Sequence, residues 1–318
     1  AEYPEGTAIG YGASLSGEVG SYHHNLIAHS RTRNWNLDGR LDANGEFAGR
    51  MNIYNNVVYN WQTGTTEGGA HQVNFVGNYY KPGPATANDL AMNVHFEDFP
   101  GTRQYYFEGN VMPGIFNESN QNVGKAYSGT PIEYSPWVTS PFDFLDVEPK
   151  TATAAYKNVL SDVGCSAPFN DSHDLRIISE TISGEARFSG SISGLPGIID
   201  HEDDVDSIDS YYTFEKRPAN YDSDKDGLPD FWEKLLGLNL KSNEGDFTET
   251  NSDPDMDGFT ALDDYLRFTA GPHYFTTIDE ELNIDLQKLF RGYTNNPAFT
   301  ILKTLGGVGV IRGASVLF

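Results

Sequence analysis

The segment IYNNVVYN, residues 53–60, carries a pattern that returns several times in the first part of the chain. Each copy has a short strand-like run, an asparagine and a second short run. The other copies are YHHNLIAH at 22–29, NFVGNYYKP at 74–82 and YFEGNVMPG at 106–114. Their asparagines are Asn25, Asn56, Asn78 and Asn110, separated by 31, 22 and 32 residues.

A period near 22 residues with tolerated insertions is typical of a parallel β-helix, in which each repeat forms one coil. Asparagines stacked in the turns between strands can hydrogen-bond to one another and satisfy backbone groups at each corner. The repeats therefore predict an all-β fold, a partial parallel β-helix accompanied by short helices. An antiparallel sandwich with asparagine-rich turns stays open as the alternative.

Composition limits the classes of partner. The chain has 318 residues and a formal net charge of −24, which argues against nucleic acid and against an anionic membrane surface. The longest apolar stretch, GGVGVIRGASVLF, is shorter than the roughly 20 residues that a membrane span needs. Cys165 is the single cysteine, so no internal disulfide is expected. We predict a secreted, monomeric protein that binds cations.

Four segments follow from changes in composition along the chain. Residues 1–150 hold the predicted coils, and residues 151–218 are a capping and linker segment that contains helices. Within that segment, TATAAYKNVLSDVG at 151–164 has apolar residues at helical spacing and ends in a glycine. This pattern predicts a short helix. A tandem calcium-loop module is predicted at 219–268. Residues 269–318 resemble the first strands of an immunoglobulin-like or cadherin-like domain that is cut short.

Two acidic loops carry the most specific motif of the chain. DSDKDGLPDFWE at 222–233 fits the twelve-residue calcium loop of EF-hands, with acidic residues at alternate positions, a glycine for the sharp turn and a final glutamate. DPDMDGFTALDD at 253–264 repeats the pattern and ends in aspartate. The predicted ligands are Asp222, Asp224, Asp226, Leu228, Asp230 and Glu233 in the first loop and Asp253, Asp255, Asp257, Phe259 and Asp264 in the second. Leu228 and Phe259 would bind through their carbonyl oxygens.

Calcium is therefore the predicted cofactor, because it prefers six to eight hard oxygen ligands. We expect the ion to make this part of the chain rigid and resistant to proteolysis. A pair of merely acidic loops and a dockerin-like module that binds a scaffold protein are the alternatives.

Three further segments give the chain a family resemblance. SYHHNLIAHSRTRNW at 21–35, GRMNIYNNVVYNW at 49–61 and VNFVGNYYKPGPAT at 73–86 resemble the later coils of bacterial pectate lyases of polysaccharide lyase family 1. The tail DSDKDGLPDFWEKLLGLN is also common in secreted members. The resemblance covers residues 8 to about 268. It implies a right-handed parallel β-helix and calcium-assisted β-elimination of polygalacturonate, an acidic polysaccharide.

The resemblance also implies a catalytic residue. In that family an arginine two residues before a proline removes the C5 proton of galacturonate, and the matching residue is Arg33, with Trp35 where proline is usual. Asn36 stands where many members have a second basic residue. A guanidinium holds its proton to strongly alkaline pH, so a base of this type predicts an alkaline optimum. Further basic residues predicted to line the substrate groove are Arg31, Arg50, His71 and Lys81.

Family members have further coils before this point, and those coils carry the acidic ligands of the catalytic calcium. We therefore expect this chain to correspond to the C-terminal portion of such a lyase. One alternative is a polygalacturonase-type hydrolase, which needs paired carboxylic acids near one bond. The coils offer Glu97 and Asp98, whose adjacent positions in a strand would point to opposite faces. The other alternative is a noncatalytic polysaccharide-binding protein whose ancestral site has lapsed.

Overall fold

The computed structural model divides the chain into two compact units. The first unit comprises residues 1–163, 173–209 and 290–297, and the second comprises residues 164–172, 210–289 and 298–318. The residues that the structure describes are 10–39, 41, 44–45, 48–96, 101–129, 133–144, 147–165, 170–206, 216–271, 274, 276, 279–286, 298–301, 308–313 and 315–317.

The first unit is built mainly of short strands. In chain order they are β1 (Tyr11–Ser16), β2 (Val19–His23), β3 (Leu26–Ala28), β4 (Thr32–Asp38), β5 (Arg50–Tyr54), β6 (Val57–Tyr59), β7 (Thr66–Gly69), β8 (Gln72–Val76), β9 (Tyr79–Lys81), β10 (Met92–Phe96), β11 (Gln104–Glu108), β12 (Lys125–Gly129) and β13 (Trp137–Val138). Two α-helices follow, α1 (Ala152–Asp162) and α2 (Ser172–Ser183). Short 3-10 helices span Gln121–Gly124 and Glu202–Asp204.

These strands form three parallel sheets. Their orders are β1-β4-β7-β10-β12, β2-β5-β8-β11-β13 and β3-β6-β9. Among the described residues, every strand pair within the three sheets is parallel. The predicted β-rich fold with few helices is confirmed, and the antiparallel sandwich is wrong.

Apolar residues at matching positions of neighbouring strands stack on one another and form the core. Register places Ile53 beside Phe75 and Phe75 beside Phe107, and the last two rings stack with centroids 5.3 Å apart. All three side chains are buried. Fully burying a side chain of this size contributes roughly 1.5–3 kcal/mol. The core therefore depends on the register that stacks successive repeats.

The repeated asparagines form a ladder along the same stack. The Oδ1 atom of Asn56 accepts the backbone N–H of Asn25 at 3.1 Å. In the same way, Oδ1 of Asn78 accepts the N–H of Asn56 at 3.0 Å, and Oδ1 of Asn110 accepts the N–H of Asn78 at 2.9 Å. Gln121 ends the ladder, because its Oε1 atom accepts the backbone N–H of Asn110 at 3.0 Å. The prediction that these asparagines stack is confirmed, and their hydrogen bonds satisfy amides that would be costly to bury unpaired.

Helix α1 covers the sheet β3-β6-β9. Tyr156, Val159 and Leu160 pack with Val57 from that sheet, and the ring of Tyr156 stacks on Tyr79 at 4.4 Å between centroids. The hydroxyl of Thr151 accepts the N–H of Ala154 at 3.3 Å and caps the start of the helix. The helix predicted at 151–164 is therefore confirmed.

The second unit holds two short helices and a small antiparallel sheet. Helices α3 (Asp230–Leu236) and α4 (Ala261–Ala270) share a core that includes Leu228, Trp232 and Tyr265. The sheet has the order β14-β16-β15, from β14 (Asn283–Asp285), β15 (Val310–Arg312) and β16 (Ser315–Leu317). It lies in the segment predicted to begin an immunoglobulin-like or cadherin-like domain, which stays a prediction. Over the described residues, no helix has both the length and the apolar character that crossing a bilayer would require.

Candidate metal centres and candidate active site

The first acidic loop gathers three carboxylates around one point. Oxygen atoms of Asp222, Asp224 and Asp226 all lie within 4.8 Å of one another. Asp224 and Asp226 are buried, and Asp222 is half-buried. Gly227 turns the chain sharply with a φ of +97°, a conformation that glycine adopts without strain. The loop thus forms the compact arrangement that the sequence predicted.

Four oxygen atoms in this loop are buried without a hydrogen-bond partner among the described residues. They are Oδ1 of Asp222, Oδ1 of Asp224 and both carboxylate oxygens of Glu233, whose side chain is 0% exposed. Burying an unpaired carboxylate is strongly unfavourable unless the group binds a proton or a cation. Four such oxygens in one loop fit a metal ion, and the cluster is able to hold one.

The same crowding changes the titration of Glu233. Burial, followed by the charges of Asp224 and Asp226, raises the pKa of the Glu233 carboxyl to about 7. A bound cation would reverse this effect, because a divalent ion is the largest local charge in such a site. The loop is therefore electrostatically unfavourable when empty and favourable when it holds a cation.

Asp230 is placed differently from the three clustered aspartates. Its two carboxylate oxygens accept the N–H and the hydroxyl of Ser223, both at 2.7 Å. These bonds, the hydroxyl contact foremost, lower the pKa of Asp230. Leu228 donates its N–H to Oδ1 of Asp226 at 2.9 Å. In this arrangement Asp230 holds the turn closed, and its role as a ligand stays a prediction.

The second acidic loop is more exposed. Oxygens of Asp253, Asp255 and Asp257 again lie within 4.8 Å of one another, and all three residues are exposed. Asp253 accepts the N–H of Gly258 at 2.9 Å, which repeats the contact between Asp222 and the N–H of Gly227 in the first loop. This cluster is also able to hold a metal ion.

The remaining predicted ligands of the second loop lie next to the cluster. Phe259 donates its N–H to Oδ1 of Asp257 at 2.9 Å. Burial, and then the charges of Asp257 and Asp255, raise the pKa of Asp264. Arg267 lies 3.6 Å from Asp264 and 3.7 Å from Asp257, so it offsets part of the negative charge.

In the first unit, Arg33 lines a cavity. The cavity has a volume of about 370 Å³ and is lined by Arg33, Asn36, Leu37, Asp38, Gly39, Glu67, Gly68, Gly69, His95 and Arg103. Arg33 lies in β4 with a φ of +57°, and its guanidinium carbon is 4.3 Å from the centre of the Tyr11 ring. Within the described part of the chain, this guanidinium has no hydrogen-bond or ion-pair partner.

Four charged or titratable residues of the cavity were not predicted from the sequence: Asp38, Glu67, His95 and Arg103. The Arg103 side chain is buried, donates to the carbonyl oxygen of His95 and lies against Gly69, where a Cβ atom would come 2.6 Å from the guanidinium. Glu67 accepts the hydroxyl of Thr32 at 2.8 Å. The adjacent glycines 68 and 69 were the available signal, because glycines inside a strand mark a close approach of another group.

Arg33 is the one residue among the predicted catalytic and groove residues that lines this cavity. Arg50 is exposed at the start of β5, and Nδ1 of His71 lies 2.8 Å from the carbonyl oxygen of Thr102. The side chain of Arg31 packs beside Gly10. The ammonium of Lys81 donates to two carbonyl oxygens at the end of α2, at 2.7 and 2.8 Å. Glu97 and Asp98 lie outside the described residues.

A buried histidine explains part of the polar crowding before Arg33. Nε2 of His29 lies 2.8 Å from a carboxylate oxygen of Glu180, and Nδ1 lies 2.9 Å from the amide nitrogen of Asn60. The Asn60 amide also donates to the carbonyl of Pro196, and its oxygen accepts the N–H of Ala85, so its orientation is fixed. Nδ1 therefore accepts a hydrogen bond, and the ring proton is on Nε2, which faces the carboxylate of Glu180. Burial lowers the pKa of His29, which keeps the ring neutral.

A comparison with models of protein families gives no match for this chain, and a comparison with curated proteins gives none either. The resemblance of the coil segments to pectate lyases therefore stays a prediction.

Proposed function

We propose that the first unit is a right-handed parallel β-helix that acts on polygalacturonate as a pectate lyase or as the C-terminal portion of one. The observation that carries this proposal is the guanidinium of Arg33, which lies at the open cavity on the sheet β1-β4-β7-β10-β12 and has no hydrogen-bond or ion-pair partner among the described residues. A protein with a net charge of −24 needs local positive charge to bind a polyanion. Arg33 offers a planar set of donors suited to a carboxylate.

The proposed reaction is a β-elimination. At alkaline pH the neutral guanidine form of Arg33 takes the C5 proton of a galacturonate residue. The C5 electron pair forms a C4–C5 double bond and expels the glycosidic oxygen, which takes a proton from water, so an unsaturated uronate is left at the new end. A calcium ion bound with the substrate would neutralise the uronate carboxylate and so make this proton more acidic. Arg103 adds a buried positive charge at the cavity wall, which favours the same anionic substrate.

The test is incubation of the chain with polygalacturonate and calcium, with ultraviolet absorbance of the unsaturated product as the readout. We expect Arg33→Ala to remove this absorbance and Arg50→Ala, an exposed arginine outside the cavity, to leave it unchanged. The rate should rise towards alkaline pH. An undiminished rate in Arg33→Ala, or an optimum well below neutrality, would contradict Arg33 as the base.

A hydrolase is the second candidate, because two carboxylates line the same cavity. Strand register places Asp38 beside Gly69 and Asn36 beside Glu67, so Asp38 and Glu67 are diagonal neighbours on adjacent strands. Glycosidases use such a pair as acid and as nucleophile or base. New reducing ends without an unsaturated product would favour this candidate. Binding of the polymer with neither product would favour a lapsed, noncatalytic protein.

For the second unit we propose that both acidic loops are EF-hand-like calcium sites with a structural role. Support comes from the four unpaired buried oxygens of the first loop and from the matching turn in the second. Flexible all-oxygen loops favour calcium over magnesium, which demands near-ideal octahedral geometry. Calorimetric titration of the metal-free chain should therefore show tighter binding of calcium than of magnesium. Sites of this kind suit a secreted protein that acts as a monomer, away from membranes and nucleic acid.

A further inference from the structure

Thr250 belongs to neither acidic loop, yet its side chain reaches the centre of the first one. It is 2% exposed, and its hydroxyl oxygen lies 2.8 Å from Oδ2 of Asp226 and 2.8 Å from the carbonyl oxygen of the same residue. The other carboxylate oxygen of Asp226 accepts the N–H of Leu228 at 2.9 Å. Each carboxylate oxygen of this aspartate thus has a donor within reach, although the Thr250 hydroxyl shares its one proton with the Asp226 carbonyl, and each oxygen keeps a lone pair for a cation.

The backbone of Thr250 contacts the helix that leaves the second loop. Its carbonyl oxygen accepts the N–H of Leu262 in α4 at 3.2 Å. Two residues later, the carbonyl oxygen of Ser252 accepts the N–H of Ala261 at 2.9 Å. One residue thus bonds to a ligand of the first loop through its side chain and to the helix of the second loop through its backbone.

We propose that Thr250 is a positioning residue that orients Asp226 and couples the two metal loops. The proposal rests on the calcium binding proposed above. An ion in the first loop fixes Asp226, and Asp226 in turn fixes the Thr250 hydroxyl. The segment from Thr250 to Asp253 then has one favoured conformation, and Asp253 is the first residue of the second loop. By linkage, an ion in the second loop strengthens binding in the first by the same factor.

The hydroxyl supports a ligand without touching the ion, and loss of such support typically costs about 10- to 100-fold in metal affinity. Valine has nearly the shape of threonine and lacks the hydroxyl, so Thr250→Val isolates this contact. Thr250→Ser keeps the hydroxyl and should restore most of the affinity. Thr248 is the matched control, because its hydroxyl donates to Asp246 in an exposed turn that holds no predicted ligand.

The experiment is a calcium titration of metal-free protein followed by amide NMR. Gly227 and Gly258 report separately on the two loops, since each donates its N–H to the first aspartate of its own loop. We expect Thr250→Val to weaken binding at the first loop by about 10-fold or more. Thr250→Ser and Thr248→Val should stay within a few-fold of the unmodified chain.

Coupling is tested by disabling the second loop with Asp255→Asn, whose carboxylate belongs to the exposed cluster. We expect this change to weaken binding at Gly227 about fivefold or more in the unmodified chain, and to have no effect in the Thr250→Val background. Equal effects in both backgrounds, or unchanged affinity in Thr250→Val, would overturn the proposal. If the unmodified chain shows no calcium response at either glycine, the calcium proposal itself fails, and that result is distinct from the other two.

Discussion

Replacing Glu233 by glutamine should stabilise the metal-free second unit and weaken its response to calcium. The native carboxylate is 0% exposed and has no hydrogen-bond partner among the described residues. Glutamine keeps the shape of the side chain and removes its charge. The repulsion between this carboxylate and the charges of Asp224 and Asp226 is thereby removed.

The size of the effect follows from the titration of Glu233. Its pKa rises from an ordinary value of 4.5 to about 7 in the folded chain. At about 1.4 kcal/mol for each pKa unit, this corresponds to roughly 3 kcal/mol. Water at the half-buried edge beside Asp222 screens part of the repulsion, so we expect a gain on the order of 2 kcal/mol at pH values above 7.

The sign depends on pH. A carboxyl whose pKa is raised by folding binds its proton more tightly in the folded chain, so the folded state is favoured at low pH. The contribution of this carboxyl to the stability of the metal-free unit is therefore full below about pH 4.5 and is lost as pH rises to about 7. Glu233→Gln lacks this group and should lose that part of the pH dependence.

Hydrogen exchange of the α3 and α4 amides, corrected for intrinsic rates, measures the stability of this unit locally. The comparison needs a chelator, several pH values between 5 and 8, and Glu280→Gln as an exposed control. In excess calcium the order should reverse, because the variant lacks the carboxylate that we propose as a bidentate ligand. If metal-free Glu233→Gln exchanged faster than the native chain at pH 8, or kept the full pH dependence, the electrostatic account of this loop would be refuted.

Two predictions concern the first unit. Asn78→Ala should destabilise it by about 3 kcal/mol, because the change removes the acceptor of the buried Asn56 backbone N–H and the side-chain donor to Ile53 and Asn110. Denaturant unfolding measures this loss, and exposed Asn122→Ala should cost little. Acidification below about pH 6.5 should destabilise the unit, because folding lowers the pKa of His29 and only the unfolded chain then binds the proton readily. Thermal midpoints across pH test this, and an equal acid dependence in His29→Gln would contradict it.

The repeats and the acidic loops were predictable because their information is local. A short strand, an asparagine and a second strand recur within one repeat, and the contacts of Asn56 and Asn78 follow from stacking those repeats. The first loop brings Asp222, Asp224 and Asp226 together through neighbouring residues and one glycine turn. In both cases the side chains that meet are placed by the same short pattern.

Contacts across repeats were not predictable in the same way. Arg103 reaches Gly69 and His95 because insertions of different lengths separate the stacked strands, and the sequence does not give that register. Lys81 was predicted to line a groove, whereas its ammonium meets the end of α2, a hundred residues further on. Glu180 meets His29 across a still longer separation. The sequence alone therefore could not show which basic residues line a site, because some of their partners lie on helices far away in the chain.

Arg33 differs from three cations of the same unit whose partners are known. Lys81 donates to backbone carbonyls, Arg176 lies 3.3 Å from Glu180, and Arg103 bonds to a carbonyl oxygen inside the cavity wall. The chain has 45 acidic and 21 basic side chains, so acidic partners for a guanidinium are abundant. Arg33 nevertheless lies over an aromatic ring at an open cavity, without a carboxylate partner in the described residues. This is the reason for proposing an anionic ligand at Arg33, and the affinity for such a ligand should weaken as salt screens the attraction.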